Sequence, residues 1–273
     1  MKKNTPIVTS KWLFGNLNNP NLVILDASVK KVTANNDNSS ENIQIKGARF
    51  FDLKNNFSDK NADFPNTFPS RSQFEVEAQK LGINNDSLIV VYDNLGIYSS
   101  PRVWWMLKTM GHQNVAVLNG GLPDWISQGY PTEEKQLQQY KLGNFKTQLN
   151  AERVKGFAFI KANLNNEDNI IIDARSTGRF NGTAPEPRKG LRSGSILNSV
   201  NIPFEDVLDN GKYKSKEKLE AIFSKINVEG KELVYSCGSG LTACIILLAG
   251  ELVLPNPTSI YDGSWTEWAQ IEK

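Results

Sequence analysis

The sequence predicts an α/β protein made of two tandem domains, each a mostly parallel sheet with helices on both faces. Three observations predict it. Short, continuous apolar runs alternate with longer helical segments, as expected for strands buried on both faces of a parallel sheet. The pattern then repeats. Asn16-Leu17, Asp26-Ala27 and Gly47 recur at one offset as Asn163-Leu164, Asp173-Ala174 and Gly194, and Asn119-Gly120 and Trp125 recur at a slightly shorter one as Asp262-Gly263 and Trp268. Two constant offsets imply a small insertion or deletion within a duplicated fold. Finally, 273 residues are enough for two domains of ordinary size. The expected division is 6–135 for the first domain and 156–273 for the second. The 136–155 linker, rich in Gln, Lys and Asn, is expected to be an extended strap.

In the first half, Leu22–Leu25, Leu88–Tyr92 and Val115–Leu118 read as strands, with helices over Ser72–Leu81 and Ser99–Met110. In the second, Ile170–Ile172, Leu233–Tyr235 and Ser259–Tyr261 take the strand places, with helices over Lys216–Ile226 and Leu241–Leu254. Trp104 and Trp105 read as helix packing, and Trp265 and Trp268 as a C-terminal helix docked on its own domain.

Hydrophobic residues make up 39% of the chain and charged residues 22%, with a formal net charge of +2. That is a globular composition and argues against nucleic-acid or membrane partners. The N-terminal Met1-Lys2-Lys3-Asn4-Thr5-Pro6 has no apolar segment behind its lysines, so the expectation is a cytoplasmic protein without an export signal. The chain has one histidine, His112, which excludes a multi-histidine metal centre and leaves His112 as the only possible imidazole base. No metal and no cofactor is expected.

Ligands of such sheets bind beyond the C-terminal strand ends. There the chain places Cys237-Gly238-Ser239-Gly240-Leu241-Thr242-Ala243, between a strand and an apolar helix. A cysteine facing loop N–H groups and a helix start is set to act as a thiolate nucleophile. Gly238 and Gly240 let the backbone curl around the sulfur. Ser239 offers a hydroxyl, and Thr242 is expected to cap the helix. The alternative for Cys237 is a packed core thiol, which is the reading preferred for Cys244 inside the helix. Their directions make a disulfide between the two improbable. A phosphate-cleaving cysteine loop needs an arginine where Ala243 stands, so phosphoester hydrolysis is disfavoured. The first half aligns Asp93 with Cys237 and keeps no nucleophile.

A second candidate segment runs from Arg175 to Arg192, beginning at the same sheet edge and stiffened by Pro185 and Pro187. Its arginines suit a carboxylate or similar anion, or else are solvated surface residues.

These pieces, together with Ser100-Pro101-Arg102-Val103-Trp104-Trp105-Met106, Asn119-Gly120-Gly121 and Tyr261-Asp262-Gly263-Ser264-Trp265, resemble the two-domain rhodaneses over nearly the whole chain. The resemblance implies two rhodanese-like domains and a sulfurtransferase in which Cys237 carries a persulfide. Members that use 3-mercaptopyruvate have Cys-Gly-Ser-Gly-Val-Thr-Ala, from which this chain differs only at Leu241. Members that use thiosulfate carry basic residues after the cysteine. The neutral Gly238 and Ser239 therefore imply 3-mercaptopyruvate as the small-molecule donor, with Cys237 and Ser239 catalytic. Arg179 and Arg188 would hold the donor's carboxylate and carbonyl, beside Gly238, Gly240, Leu241 and Thr242. Acceptors would be a thioredoxin-like protein, another thiol or cyanide, and the chain is expected to act as a monomer. Thiosulfate as donor, or a sulfur carrier without turnover, are the alternatives. The resemblance also implies a proton relay from the loop serine to a histidine and an aspartate. This chain has Asn66 and Lys54 at those places, and Gln44 and Ser195 replace two further family histidines. Either the donor thiol enters already ionised, or the rate or donor preference is altered.

Overall fold

A computed structural model of the chain describes residues 5–29, 42–136 and 138–272. Residues 1–4, on which the expectation about an export signal partly rests, and Leu137 of the expected linker lie outside the described residues. The chain forms two compact units. One comprises the residues up to Asp59 with Phe68–Leu149 and Asn210–Lys212. The other comprises Lys60–Thr67, Asn150–Asp209 and Tyr213 onward.

The main sheet of the first unit has five strands, β1 Ile7–Val8, β2 Leu22–Asp26, β3 Arg49–Phe50, β4 Leu88–Tyr92 and β5 Val115–Leu118, in the order β1-β5-β4-β2-β3. The second holds β6 Val154–Lys155, β7 Asn169–Asp173, β8 Val200–Asn201, β9 Glu232–Ser236 and β10 Thr258–Tyr261, in the order β6-β10-β9-β7-β8. The two orders are the same, and every neighbouring pair in both sheets is parallel. The central strands β4 and β9 are apolar runs with little or no exposed surface.

Helices of the first unit are α1 Ser10–Gly15, α2 Arg71–Lys80, α3 Ser100–Thr109 and α4 Gly121–Ser127. Side-chain caps start two of them. Thr9 accepts from the Trp12 N–H at 3.1 Å, and Ser70 from the Gln73 N–H at 3.2 Å. The second unit has α5 Phe157–Ala162, α6 Thr177–Phe180, α7 Lys216–Phe223, α8 Ala243–Glu251 and α9 Ser264–Ile271. Residues Ala243 to Gly250 of α8 are all buried, as an all-round apolar helix requires. This helix is shorter than the apolar run that predicts it, ending at Glu251 with Leu252 as its C-cap. Trp104, Trp105, Trp265 and Trp268 are core residues.

The segment 138–149 has no regular structure and lies along the first unit. Phe145 is buried beside Phe74, and the Gln148 N–H donates to the Met110 carbonyl at 2.9 Å. The chain then enters the second sheet as the edge strand β6.

Candidate active site

The register of each sheet fixes how the two halves correspond. Asp26 pairs with Tyr92 at the end of β4, and Asp173 pairs with Ser236 at the end of β9. The next residue is Asp93 in one unit and Cys237 in the other.

In the first unit the Asp93 carboxylate fills its own loop. Oδ1 accepts from the Leu95 N–H at 3.0 Å. Oδ2 accepts from the N–H groups of Tyr98, Ser99 and Ser100 at 2.8, 3.0 and 2.9 Å, and from the Ser100 hydroxyl at 2.6 Å. A loop of this shape gathers donors around an anion. In the second unit the residue at that place is the free cysteine Cys237. Among the described residues, the N–H groups of Gly238, Ser239, Leu241, Thr242 and Ala243 donate to no protein acceptor.

Cys237 itself is 1% exposed. Its loop is tied to the start of α9, where the N–H groups of Trp265 and Thr266 donate to the carbonyls of Cys237 and Gly238, both at 3.0 Å. The Thr266 hydroxyl also donates to the Gly238 carbonyl. Ser264 Oγ accepts from the N–H groups of Cys237 and Gly240 at 3.2 and 3.1 Å and donates to the Tyr261 carbonyl at 2.8 Å. That hydroxyl is fully used, so the cysteine loop is held rigidly from below. Burial, helped by the nearby Asp262 carboxylate, pushes the Glu267 carboxyl on α9 up.

The two loop glycines act differently. Gly240 has φ +73, the left-handed region that glycine enters most easily. Gly238 does not. A Cβ there would lie 3.0 Å from Arg179 Nη2 and 3.7 Å from Arg188 Nη1. The missing side chain therefore admits two guanidiniums. Thr242 stands at the N-cap position of α8 but makes no side-chain capping bond, because its φ of −72° and ψ of −17° are already helical. This corrects the expectation that it caps the helix. Leu241 and Thr242 are both half-buried. Cys244 is packed, its thiol reaching the Gly240 carbonyl at 3.5 Å, and both cysteines are free thiols.

The arginine segment is not wholly irregular, since α6 forms one turn of it. Arg175 is buried. It binds both carboxylate oxygens of Asp173 through Nε and Nη2, Glu186 Oε1 through Nη1 at 2.8 Å, and the Gly194 carbonyl at 2.6 Å, with its guanidinium 4.3 Å from the Trp265 ring centre. Arg192 lies over the same ring and donates to the Glu272 carbonyl at 2.9 Å. Arg179 makes a two-pronged pair with Glu186, at 3.1 Å from Nε and 2.6 Å from Nη2. Arg188 donates to Ser239 Oγ at 3.1 Å and Thr266 Oγ1 at 3.3 Å.

Asn66, which belongs to the second unit, donates from Nδ2 to Ser239 Oγ at 3.0 Å and to the Ser239 carbonyl at 3.2 Å. It sits in the left-handed region at φ 61°, which asparagine tolerates. Lys54 is exposed in the first unit, and buried Gln44 donates to the Ala48 carbonyl and Glu133. His112 is buried in the first unit with its Nε2 2.9 Å from the Ser87 carbonyl, and burial lowers its pKa. Glu186, Ser264 and Thr266 are the site residues that sequence reasoning missed. Their only signal was membership in the Pro185–Arg188 and Tyr261–Trp265 pieces or a place just beyond.

The rhodanese-like domain family matches residues 9–128 and, a second time, residues 158–271. The chain is 38% identical to human 3-mercaptopyruvate sulfurtransferase, covering 96% of this chain and 91% of the relative. It is also 38% identical to rat thiosulfate sulfurtransferase, with the same coverage. The crystal structure of SseA from Escherichia coli, described as a 3-mercaptopyruvate sulfotransferase, superposes with a TM-score of 0.85 at 34% identity, covering 96% of this chain and 99% of that one. With both halves matched and near-complete coverage of relatives above 30% identity, the chain belongs to the rhodanese family and carries two rhodanese-like domains.

Proposed function

We propose that the second domain moves sulfur from 3-mercaptopyruvate, through a persulfide on Cys237, to a thiol or cyanide acceptor, and releases pyruvate. The observation that carries this is the charge at Gly238. Of the two guanidiniums at Gly238, Arg179 is paired with Glu186. Among the described residues, Arg188 has no carboxylate partner. A guanidinium without a carboxylate partner suits a donor that brings a planar carboxylate, which it can hold in two-pronged fashion, and thiosulfate has no carboxylate. Identity does not choose between donors, since a relative named for each is equally similar.

In this reading Cys237 attacks the donor's sulfur as a thiolate. An S–S bond forms, the C–S bond breaks, and its electron pair goes to carbon, which takes a proton to give pyruvate. The acceptor then attacks the outer sulfur, and the S–S electron pair returns to Cys237. The free N–H groups of Gly238, Ser239, Leu241, Thr242 and Ala243 stabilise sulfur anions in both steps. Arg188, with Arg179 beside it, holds the donor carboxylate and carbonyl, and Gly240 gives the loop its turn. The same proposal includes the 6–135, 136–155 and 156–273 division, a monomer, a cytoplasmic location and a thiol acceptor such as a thioredoxin-like protein. Among the described residues no helix is long and apolar enough to cross a membrane.

The test is mass spectrometry of the Cys237 peptide after exposure to each donor, with pyruvate measured in parallel. Mercaptopyruvate is expected to add one sulfur atom to Cys237 and release pyruvate, and Cys237→Ser to do neither. Equal pyruvate release by Cys237→Ser would overturn the proposal.

A further inference from the structure

Ser239 Oγ is approached by two groups that act only as donors, Asn66 Nδ2 at 3.0 Å and Arg188 Nη2 at 3.1 Å. A guanidinium has no acceptor atom. The orientation of the Asn66 amide follows from a second contact. The same nitrogen lies 3.2 Å from the Ser239 carbonyl oxygen, and a carbonyl oxygen only accepts, so nitrogen must face it. Two donors occupy both lone pairs of a hydroxyl oxygen. What Ser239 has left is its own O–H, and among the described residues that O–H reaches no protein acceptor. At 8% exposure, an unspent donor is costly unless a ligand takes it.

A hydroxyl relays a proton only if its own proton can move on to an acceptor. The carboxylates of the elements packed on Ser239 are Asp63, Glu186, Asp262 and Glu267, and the cations at its loop are Arg179 and Arg188. None of these carboxylates accepts from the Ser239 hydroxyl among the described residues. We infer that Ser239 is a fixed hydrogen-bond donor toward the bound sulfur donor and never its base, so that the substrate is taken with its sulfur already ionised. This rests on the sulfur-transfer reading above. The donor thiol gives its proton to solvent before the reaction. The Cys237 thiolate then forms the S–S bond, the C–S electron pair leaves on carbon, and water protonates that carbon. The persulfide remains as the anion facing the loop N–H groups and the Ser239 O–H.

The experiment measures kcat/KM for mercaptopyruvate between about pH 5 and 9 in the full chain, as wild type, Asn66→Ala and Asn66→Asp. The thiolate fraction of Cys237 is followed separately by its alkylation rate, and donor ionisation by thiolate absorbance. After correction for Cys237, wild type and Asn66→Ala are expected to lose about tenfold per pH unit below the donor's thiol pKa. Asn66→Asp places an acceptor against Ser239 in nearly the same shape, and its profile is expected to flatten. If it fails to fold, which lost alkylation control would show, the wild-type profile decides alone. A wild-type profile that stays flat two units below the donor's ionisation overturns the inference, as does Asn66→Asp running parallel to wild type. No pyruvate at any pH from wild type with an alkylatable Cys237 overturns the sulfur-transfer reading, and the inference with it.

Discussion

Replacing Glu186 by glutamine tests the charge arrangement directly. The Glu186 side chain is fully buried. It accepts from Arg175 Nη1 at 2.8 Å and from Arg179 Nε and Nη2 at 3.1 and 2.6 Å. Each hydrogen bond to a charged group contributes roughly 1.5–3 kcal/mol. Glutamine keeps one acceptor oxygen and turns an NH₂ against a guanidinium. Arg175 retains Asp173 and Gly194, and Arg179, partly exposed, recovers some hydration. The expected net loss is therefore about 3 kcal/mol, at the low end for removing one partner of a buried pair. Hydrogen exchange of peptides from β9 and α8, read beside urea unfolding, isolates the second unit from the first. The freed Arg179 loses its anchor over Gly238, so the KM for mercaptopyruvate is expected to rise about tenfold, some 1.4 kcal/mol. The extra positive charge is expected to raise the rate with thiosulfate relative to mercaptopyruvate. Glu186→Asp, which keeps the charge, should lie between. Stability within about 0.5 kcal/mol of wild type together with an unchanged donor ratio would refute the reasoning.

Two further outcomes are expected. Gly238→Ala puts a methyl 3.0 Å from a guanidinium that Glu186 holds in place. Its mercaptopyruvate KM should rise roughly fivefold with little change in stability, since φ there is not left-handed, and steady-state kinetics check it. Burial lowers the pKa of His112, so the folded chain resists taking up a proton there. The unfolded chain takes up that proton near the ordinary value of about 6.5. The contribution to stability is thus complete above that pH and is lost as pH falls below it, by at most about 1.4 kcal/mol per pH unit. Urea midpoints of wild type and His112→Gln should diverge between about pH 7 and 5, with wild type the steeper. Parallel curves would contradict this.

The six principal strands were legible because each is a continuous apolar run, and α8 because it is apolar on every side. The two-residue edge strands Ile7–Val8, Arg49–Phe50, Val154–Lys155 and Val200–Asn201 were not, because two residues cannot show a period. At the site, Cys237 and its loop were legible from local chain chemistry. Asn66 bonding Ser239 spans 173 positions, so local chemistry did not show it, and only the resemblance, which puts Asn66 at the relay histidine's place, pointed there. Glu186 was hidden for another reason. Next to two prolines it reads as an exposed loop carboxylate, and only the convergence of Arg175 and Arg179 on it explains its burial.

For the proposed sulfur transfer, the duplicated loop offers a way to use Cys237 without a histidine. In the first unit the same strand end and helix start gather three N–H groups and a hydroxyl around one carboxylate oxygen of Asp93. There the anion is part of the chain itself. In the second unit the strand end carries sulfur, and five loop N–H groups have no protein acceptor among the described residues. In the proposed reaction these donors are available to an anionic sulfur, first the Cys237 thiolate and then the persulfide. Activation comes from donors already in place, not from a base that must take a proton away.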